Sequence, residues 1–311
     1  MSACDTTTNA YDQFIAALKA RKIWDAGTLI QQMLGDFNGM TLSEKYAQLD
    51  KLKGWLDSFR PLPSTVVAEL KQLFDVRFTY NSNAIEGNTL TQSETQLVLE
   101  KGITVGGKTL QEHLEVVGHR DAIDYVESLA QQDTIIGEWE IRQIHSLLFM
   151  VIDRAEAGRY RQLDIKAAGT EYKYPPHYLL PELMAEFVDW LNSEVAQQMH
   201  PIDYAAEVHC RFVGMHPFRD GNGRMGRLLM NLLLLRLGYP VVVLRNERRA
   251  EYIDSLVQAQ QQDSVVAFQE LILEAAKDSL VEVLQVIVTA TENQNKGEEF
   301  YSEVLSYISL L

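Results

Sequence analysis

Along most of the chain, apolar residues recur at spacings of three and four, the period of amphipathic helices. The segment from Pro181, PELMAEFVDWLNSEVAQ, sets Leu183, Met184, Phe187, Val188, Leu191 and Val195 on one face. Faces of the same kind predict helices over Glu44–Phe59, Ser64–Thr79, Gln111–Ala130, Glu138–Ile152, Tyr204–Met215, Arg224–Leu237, Arg249–Gln262 and Ser264–Thr291, the last with room for an internal break. One stretch departs from the period. Residues 158–177, GRYRQLDIKAAGTEYKYPPH, hold two glycines, a Pro-Pro pair and two short alternating runs. They predict either a short β-hairpin flap turning at Gly169-Thr170 or an irregular surface loop. A loop of this length inside a compact helical domain is often functional.

The fold class is therefore mainly α. The punctuation Arg60-Pro61-Leu62-Pro63 separates an N-terminal helical region, 1–63, from a main domain, 64–291. From Glu292 the chain turns polar and ends in FYSEVLSYISLL, so 292–311 reads as a tail, either a docking helix or a fragment of something longer. With 46% hydrophobic and 23% charged residues, the 311-residue chain can bury an ordinary core. Its formal net charge of −15 argues against nucleic acid or an anionic membrane as a partner. Cys4 and Cys210 make neither a disulfide framework nor a zinc pattern. The start, MSACDTTTNAYDQF, lacks the basic and apolar regions of a signal peptide. The apolar run Leu228–Leu237 is too short for a bilayer and contains Asn231 and Arg236. A cytoplasmic protein is expected.

Candidate chemistry concentrates in one segment, His216-Pro217-Phe218-Arg219-Asp220-Gly221-Asn222-Gly223-Arg224-Met225-Gly226-Arg227. A helical run ends at Pro217, and a Gly-Asn-Gly turn opens another. Such a turn presents free backbone N–H groups and the positive end of the helix dipole, both of which favour an anion. Arg224 and Arg227, three apart, add two guanidinium forks suited to a polyphosphate. A carboxylate among phosphates, Asp220, implies a cation between them, and magnesium is usually held that way. His216 supplies a proton acceptor near neutral pH. Gly221, Gly223 and Gly226 also match GxGxxG, but a dinucleotide fold needs a preceding strand and this run is helical. In a calcium-loop reading of DGNGR, Arg224 stands where an oxygen ligand belongs. A bare helix–turn–helix corner would explain any one of these residues, not the set.

The segment resembles the Fic-family signature position for position: His, any, Phe, any, Asp or Glu, Gly-Asn-Gly-Arg, two variable residues, Arg. The resemblance extends over roughly residues 65–280 and implies a helical domain that transfers AMP from ATP to a Ser, Thr or Tyr hydroxyl of a protein. By position it implies His216 as general base, Phe218 packed inward to hold the loop, and Asp220 as ligand of Mg²⁺ or Mn²⁺. Gly221, Asn222 and Gly223 would form the phosphate nest, with Arg224 and Arg227 holding phosphates. The 158–177 stretch resembles the flap that holds a target peptide as an added strand. Arg248-Arg249-Ala250-Glu251-Tyr252 resembles the adenine-pocket region, with Tyr252 either a wall or plain core.

Upstream, within 79–88, Ser82, Glu86 and Gly87 match the family's inhibitory motif: Ser or Thr, three residues, Glu, then Gly or Asn. The resemblance implies that Glu86 pairs with Arg227 and takes the seat of the γ-phosphate. It also implies a homodimer. The same machinery serves transfer of another nucleotide or phosphate group, removal of AMP, or a non-enzymatic nucleotide-binding module.

Overall fold

A computed structural model describes residues 10–23, 25–165, 172–262, 264–290 and 296–310. The described residues form helices α1 (Ala10–Arg21), α2 (Ala26–Leu34), α3 (Leu42–Ser58), α4 (Ser64–Ile85), α5 (Gln92–Lys101), α6 (Leu110–Ala130), α7 (Glu138–Phe149), α8 (Leu180–Leu191), α9 (Glu194–Gln197), α10 (Pro201–Met215), α11 (Asn222–Arg236), α12 (Arg249–Gln262), α13 (Val266–Thr289) and α14 (Glu298–Leu310). None is long and apolar enough to cross a membrane.

The expected helices are present, with α13 continuous, except that the segment from Pro181 breaks after Leu191 into α8 and α9 and leaves Val195 exposed rather than on the apolar face. Two further differences matter. First, α4 runs six residues past Thr79, through Tyr80-Asn81-Ser82-Asn83-Ala84-Ile85. Asn residues compete with helix backbone for hydrogen bonds, but here they serve it. The Asn81 and Asn83 amides donate to the carbonyls of Arg77 and Thr79, one turn back. Second, α5 has no clear apolar face, yet Thr91 and Glu94 close a capping box at its start and Gly102 ends it in a left-handed turn. Thr41 with Glu44 and Thr109 with Glu112 cap α3 and α6 in the same way.

The chain divides into two compact units, residues 1–72 with 276–311, and residues 73–275. Residues 1–63 and 292–311 are expected as separate regions, but their described residues lie in one unit. The reason is aromatic burial. Phe300 of α14 is fully buried, with ring centroids 5.2 Å from Trp55, 5.7 Å from Phe59 and 6.2 Å from Phe14. The tail is thus a docked helix.

In the other unit α11 is the central element, packed against α6, α7 and α10. Nearly every side chain from Asn222 to Leu234 is buried, as expected of a helix surrounded on all sides. Asn231 is satisfied there: its amide donates to the carbonyls of Arg227 and Val242, and its Oδ1 accepts from Val242 N–H. The start of this helix carries Arg224 and Arg227 into the interior.

Phe300→Ala removes a buried ring and is expected to destabilise the protein by about 3–5 kcal/mol. Urea unfolding of variant and wild type measures this, and a loss under about 1 kcal/mol would contradict the docked-tail packing.

Candidate active site

The central loop is shaped by its own residues. α10 ends at His216, whose backbone is left-handed (φ 50°, ψ 59°) and whose N–H bonds to Phe212 O. Pro217 cannot continue the helix. Gly221 (φ 78°) starts α11, and a Cβ there would collide with the Phe149 ring. Asn222 closes the loop on itself: its Oδ1 accepts from Phe218 N–H at 3.0 Å and its Nδ2 donates to Phe218 O at 2.8 Å. Its buried side chain therefore holds the loop, and what it can offer a phosphate is the backbone N–H of a helix start. Phe218 is fully buried and stacks on His145, with centroids 3.7 Å apart.

His145 was not legible as a site residue. On an apolar helical face it reads as core. In the fold its Nδ1 accepts from Gly158 N–H at 3.0 Å, so the proton lies on Nε2, which donates to Asp220 O at 3.1 Å. Burial pushes its pKa down to about 3, so it is a neutral strut between the loop and the start of the 158–177 stretch.

The tautomer of His216 follows from its surroundings. Its Nδ1 lies 3.3 Å from Val213 O. A carbonyl only accepts, so Nδ1 carries the proton and Nε2 keeps its lone pair. Burial pushes the pKa down to about 4 against the pull of Glu86 and Asp220, leaving the ring neutral near pH 7. Tyr174 lies against it, with centroids 4.3 Å apart.

Both arginines are almost completely buried. Arg227 donates from Nε to Ser82 Oγ (3.0 Å), from Nη1 to Tyr252 OH (2.9 Å), and from Nη2 to Ser82 O (2.8 Å) and Glu86 Oε1 (2.7 Å). Arg224 reaches Asn83 Oδ1 at 3.4 Å and Asp220 at 3.8 Å, and its buried Nε has no hydrogen-bond partner among the described residues. The buried histidines nearby add no charge. His119 and His209 are driven far below their usual range by burial, then by the arginines themselves. The result is a concentrated positive field at a helix N-terminus.

Glu86 is the anion in that field. Gly87 (φ 101°) closes α4: its N–H bonds Ala84 O, and Asn88 N–H bonds Asn83 O. This leaves Glu86 at the cap position, with its carboxylate over the start of α11, where a Cβ on Gly223 would collide with Oε1. Burial opposes its ionisation, but Arg227, with Arg224 and Arg249 behind it, holds the carboxyl below its usual range. The pair is charged above the ordinary carboxylate pKa and is lost only as pH falls through the lowered value. The side chain is still 39% exposed, so the seat is open to solvent.

Tyr252 is core and a partner of Arg227; its hydroxyl also bonds His209 Nε2 at 3.2 Å. A cavity of about 650 Å³ beside the loop is lined by Gly214, Met215, Tyr172 and, from α12, Leu256, Ala259 and Gln260, but not by Tyr252. Asp220 is 71% exposed at the loop's tip. Among the described residues no group of three or more His, Cys, Asp or Glu gathers for a metal.

The described arms of the 158–177 stretch contain no strand, and the turn at Gly169-Thr170 lies outside the described residues. Side chains join the arms where a hairpin would use a ladder. Arg161 donates to Leu163 O (3.0 Å) and Pro175 O (2.6 Å), and Asp164 accepts from His177 N–H at 2.8 Å. Arg161, a single residue in a polar stretch, was not legible either.

Residues 135–234 match the family model described as "Fic/DOC family". The chain is 35% identical over 221 residues to "Protein adenylyltransferase Fic" of Culex quinquefasciatus and 37% over 224 to "Protein adenylyltransferase fic-1" of Caenorhabditis briggsae. Each match covers 71% of this chain and 44% of the relative, so the chain spans less than half the length of these proteins. Among solved structures, Fic-1 (residues 134–508) from C. elegans is 32% identical with a TM-score of 0.67, covering 76% of this chain and 70% of that one. A Fic domain containing signaling protein from Bacteroides thetaiotaomicron is 28% identical with a TM-score of 0.65, covering 84% and 96%. A helical fold built around α11, a loop carrying the full signature and this similarity agree: the chain belongs to the Fic family.

Proposed function

We propose that the protein is an adenylyltransferase that moves AMP from ATP to a Ser, Thr or Tyr hydroxyl of another protein, and that Glu86 restrains it. The observation that carries this reading is the Glu86 carboxylate bound to Arg227 at the N-terminus of α11, an anion already seated where a phosphate belongs. The relatives from Culex quinquefasciatus and Caenorhabditis briggsae are named as protein adenylyltransferases.

In this reading the polyphosphate lies along the start of α11, where Gly221, Asn222 and Gly223 offer backbone N–H groups. Arg224, whose Nε is unpartnered among the described residues, and Arg227 hold it by charge-assisted hydrogen bonds. Asp220 is exposed and single, which suits Mg²⁺ or Mn²⁺ completed by phosphate oxygens, and the ion would neutralise charge on the leaving group. The target hydroxyl gives its proton to His216 Nε2 as its oxygen bonds to the α-phosphorus. The bond from that phosphorus to the bridging oxygen breaks, and pyrophosphate leaves with the electron pair. The 158–177 stretch, joined to the loop through Arg161, would lie beside the target segment. Cytoplasmic location and a homodimer complete the proposal.

The restraint is positional. While Glu86 holds Arg227, the γ-phosphate cannot, and ATP that binds is misaligned at its α-phosphorus. Misalignment of a reacting centre costs a factor on the order of 100. Intact mass after incubation with ATP and Mg²⁺ is the test, with self-modification standing in for the target. Glu86→Gly should gain the mass of one AMP about 100-fold faster than wild type, and Glu86→Gly/His216→Ala should gain none. Unchanged or lower transfer by a folded Glu86→Gly would contradict the restraint; transfer by the double variant would contradict the base.

The state of His216 gives a second prediction. Only the neutral ring accepts a proton, so activity is lost as pH falls through its pKa. In Glu86→Gly, which also lacks one of the carboxylates that favour protonation, kcat/KM should hold until pH falls to about 4 or lower. A midpoint at the ordinary 6.5 would contradict the buried base.

A further inference from the structure

We propose that Arg161 is a positioning residue of the active site, holding the backbone of His216 and Pro217 in place through a guanidinium shared among carbonyl oxygens. The proposal rests on His216 being the general base.

The Arg161 side chain is 1% exposed, and its nearest carboxylate, Asp164, is 3.9 Å away. A buried guanidinium needs compensation, and neutral carbonyls provide it. Nε donates to His216 O at 2.9 Å, Nη1 to Leu163 O at 3.0 Å and Nη2 to Pro175 O at 2.6 Å. The Arg161 backbone N–H bonds Pro217 O at 3.0 Å. Two of the four bonds thus fall on consecutive residues of the catalytic loop. The residue they grip is the one that needs gripping. His216 has a side chain yet sits at φ 50°, a sparsely populated conformation that persists only where surroundings enforce it. Its own Nδ1–Val213 bond orients the ring; Arg161 fixes the peptide that carries the ring. A planar fork can serve three carbonyls at once, whereas an ammonium is a point donor.

Arg161 also acts on His216 as a charge. The groups facing the ring are Arg161 from the start of the flap, Glu86 from the end of α4 and Asp220 from the ring's own loop, with Tyr174 against it. Arg161 opposes protonation, while Glu86 and Asp220 favour it.

The experiment compares Arg161→Met and Arg161→Lys in the Glu86→Gly background. It measures initial rates of AMP transfer at varied ATP, circular dichroism, and the NMR titration of the His216 ring, assigned by difference from His216→Ala. Both variants should lose about 100-fold in kcat while KM for ATP stays within about threefold. Arg161→Met should raise the His216 pKa, and Arg161→Lys should return it toward the parent value without restoring kcat. A kcat within about threefold of the parent, a loss confined to KM, or unfolding of both variants would each overturn the proposal. If the Glu86→Gly parent itself transfers no AMP, the functional reading fails. The titration then decides this one, and an unmoved His216 pKa in Arg161→Met overturns it.

Discussion

A guanidinium buried in the middle of a helical domain has to be held, and the way Arg227 is held organises this site. Three of its four hydrogen bonds go to groups that stay with the fold, Ser82 Oγ, Ser82 O and Tyr252 OH. Only the fourth goes to a side chain that solvent can reach, Glu86. The neutral partners fix the direction of the fork, and the charged one fills the position it points at. Loss of Glu86 would leave Arg227 oriented and facing an empty anion seat. Preorganised charge of this kind is what stabilises developing negative charge without reorganisation at the moment of reaction.

The same economy of charge runs through the surroundings. His119, His145 and His209 are buried and neutral, so the two arginines dominate the local field. His216 is also neutral, but its tautomer leaves Nε2 as an acceptor. His216 keeps an acceptor nitrogen because the neighbour of its Nδ1 is the carbonyl of Val213. His145 is a strut because both its nitrogens are taken by backbone. Residue type alone does not separate these roles; the hydrogen bond on each nitrogen does.

The active loop was legible because its chemistry is contiguous. His216, Asp220, the glycine turn and both arginines lie within twelve residues, and the turn and helix start that position them are local. The apolar period gave the large helices for the same reason. What escaped depends on contacts distant in sequence or on single residues. Glu86 and Arg227 are 141 positions apart, and family resemblance, not pattern, joined them. Arg161 and His145 carry no local signal, because their partners are backbone carbonyls and amides of other segments. Helix α5 has no apolar face to mark it in the sequence, and its one local signal is the Thr91–Glu94 capping box. The hairpin expected over 158–177 has no ladder in its described arms, where Arg161 and Asp164 do the joining instead. Asn222 and Tyr252 sit beside the site but turn their side chains to the loop and to Arg227.

In the function proposed, the carboxylate of Glu86 and the terminal phosphate of ATP compete for one seat on Arg227. A crystal structure of Glu86→Gly with a non-hydrolysable ATP analogue and Mg²⁺ tests it most directly. The expected result is a γ-phosphate oxygen within hydrogen-bond distance of Arg227 Nη2, in the place Glu86 Oε1 now fills, with the bonds from Arg227 to Ser82 and Tyr252 retained. A γ-phosphate bound away from Arg227, or a seat on Arg227 left without phosphate while the nucleotide is fully bound, would contradict it.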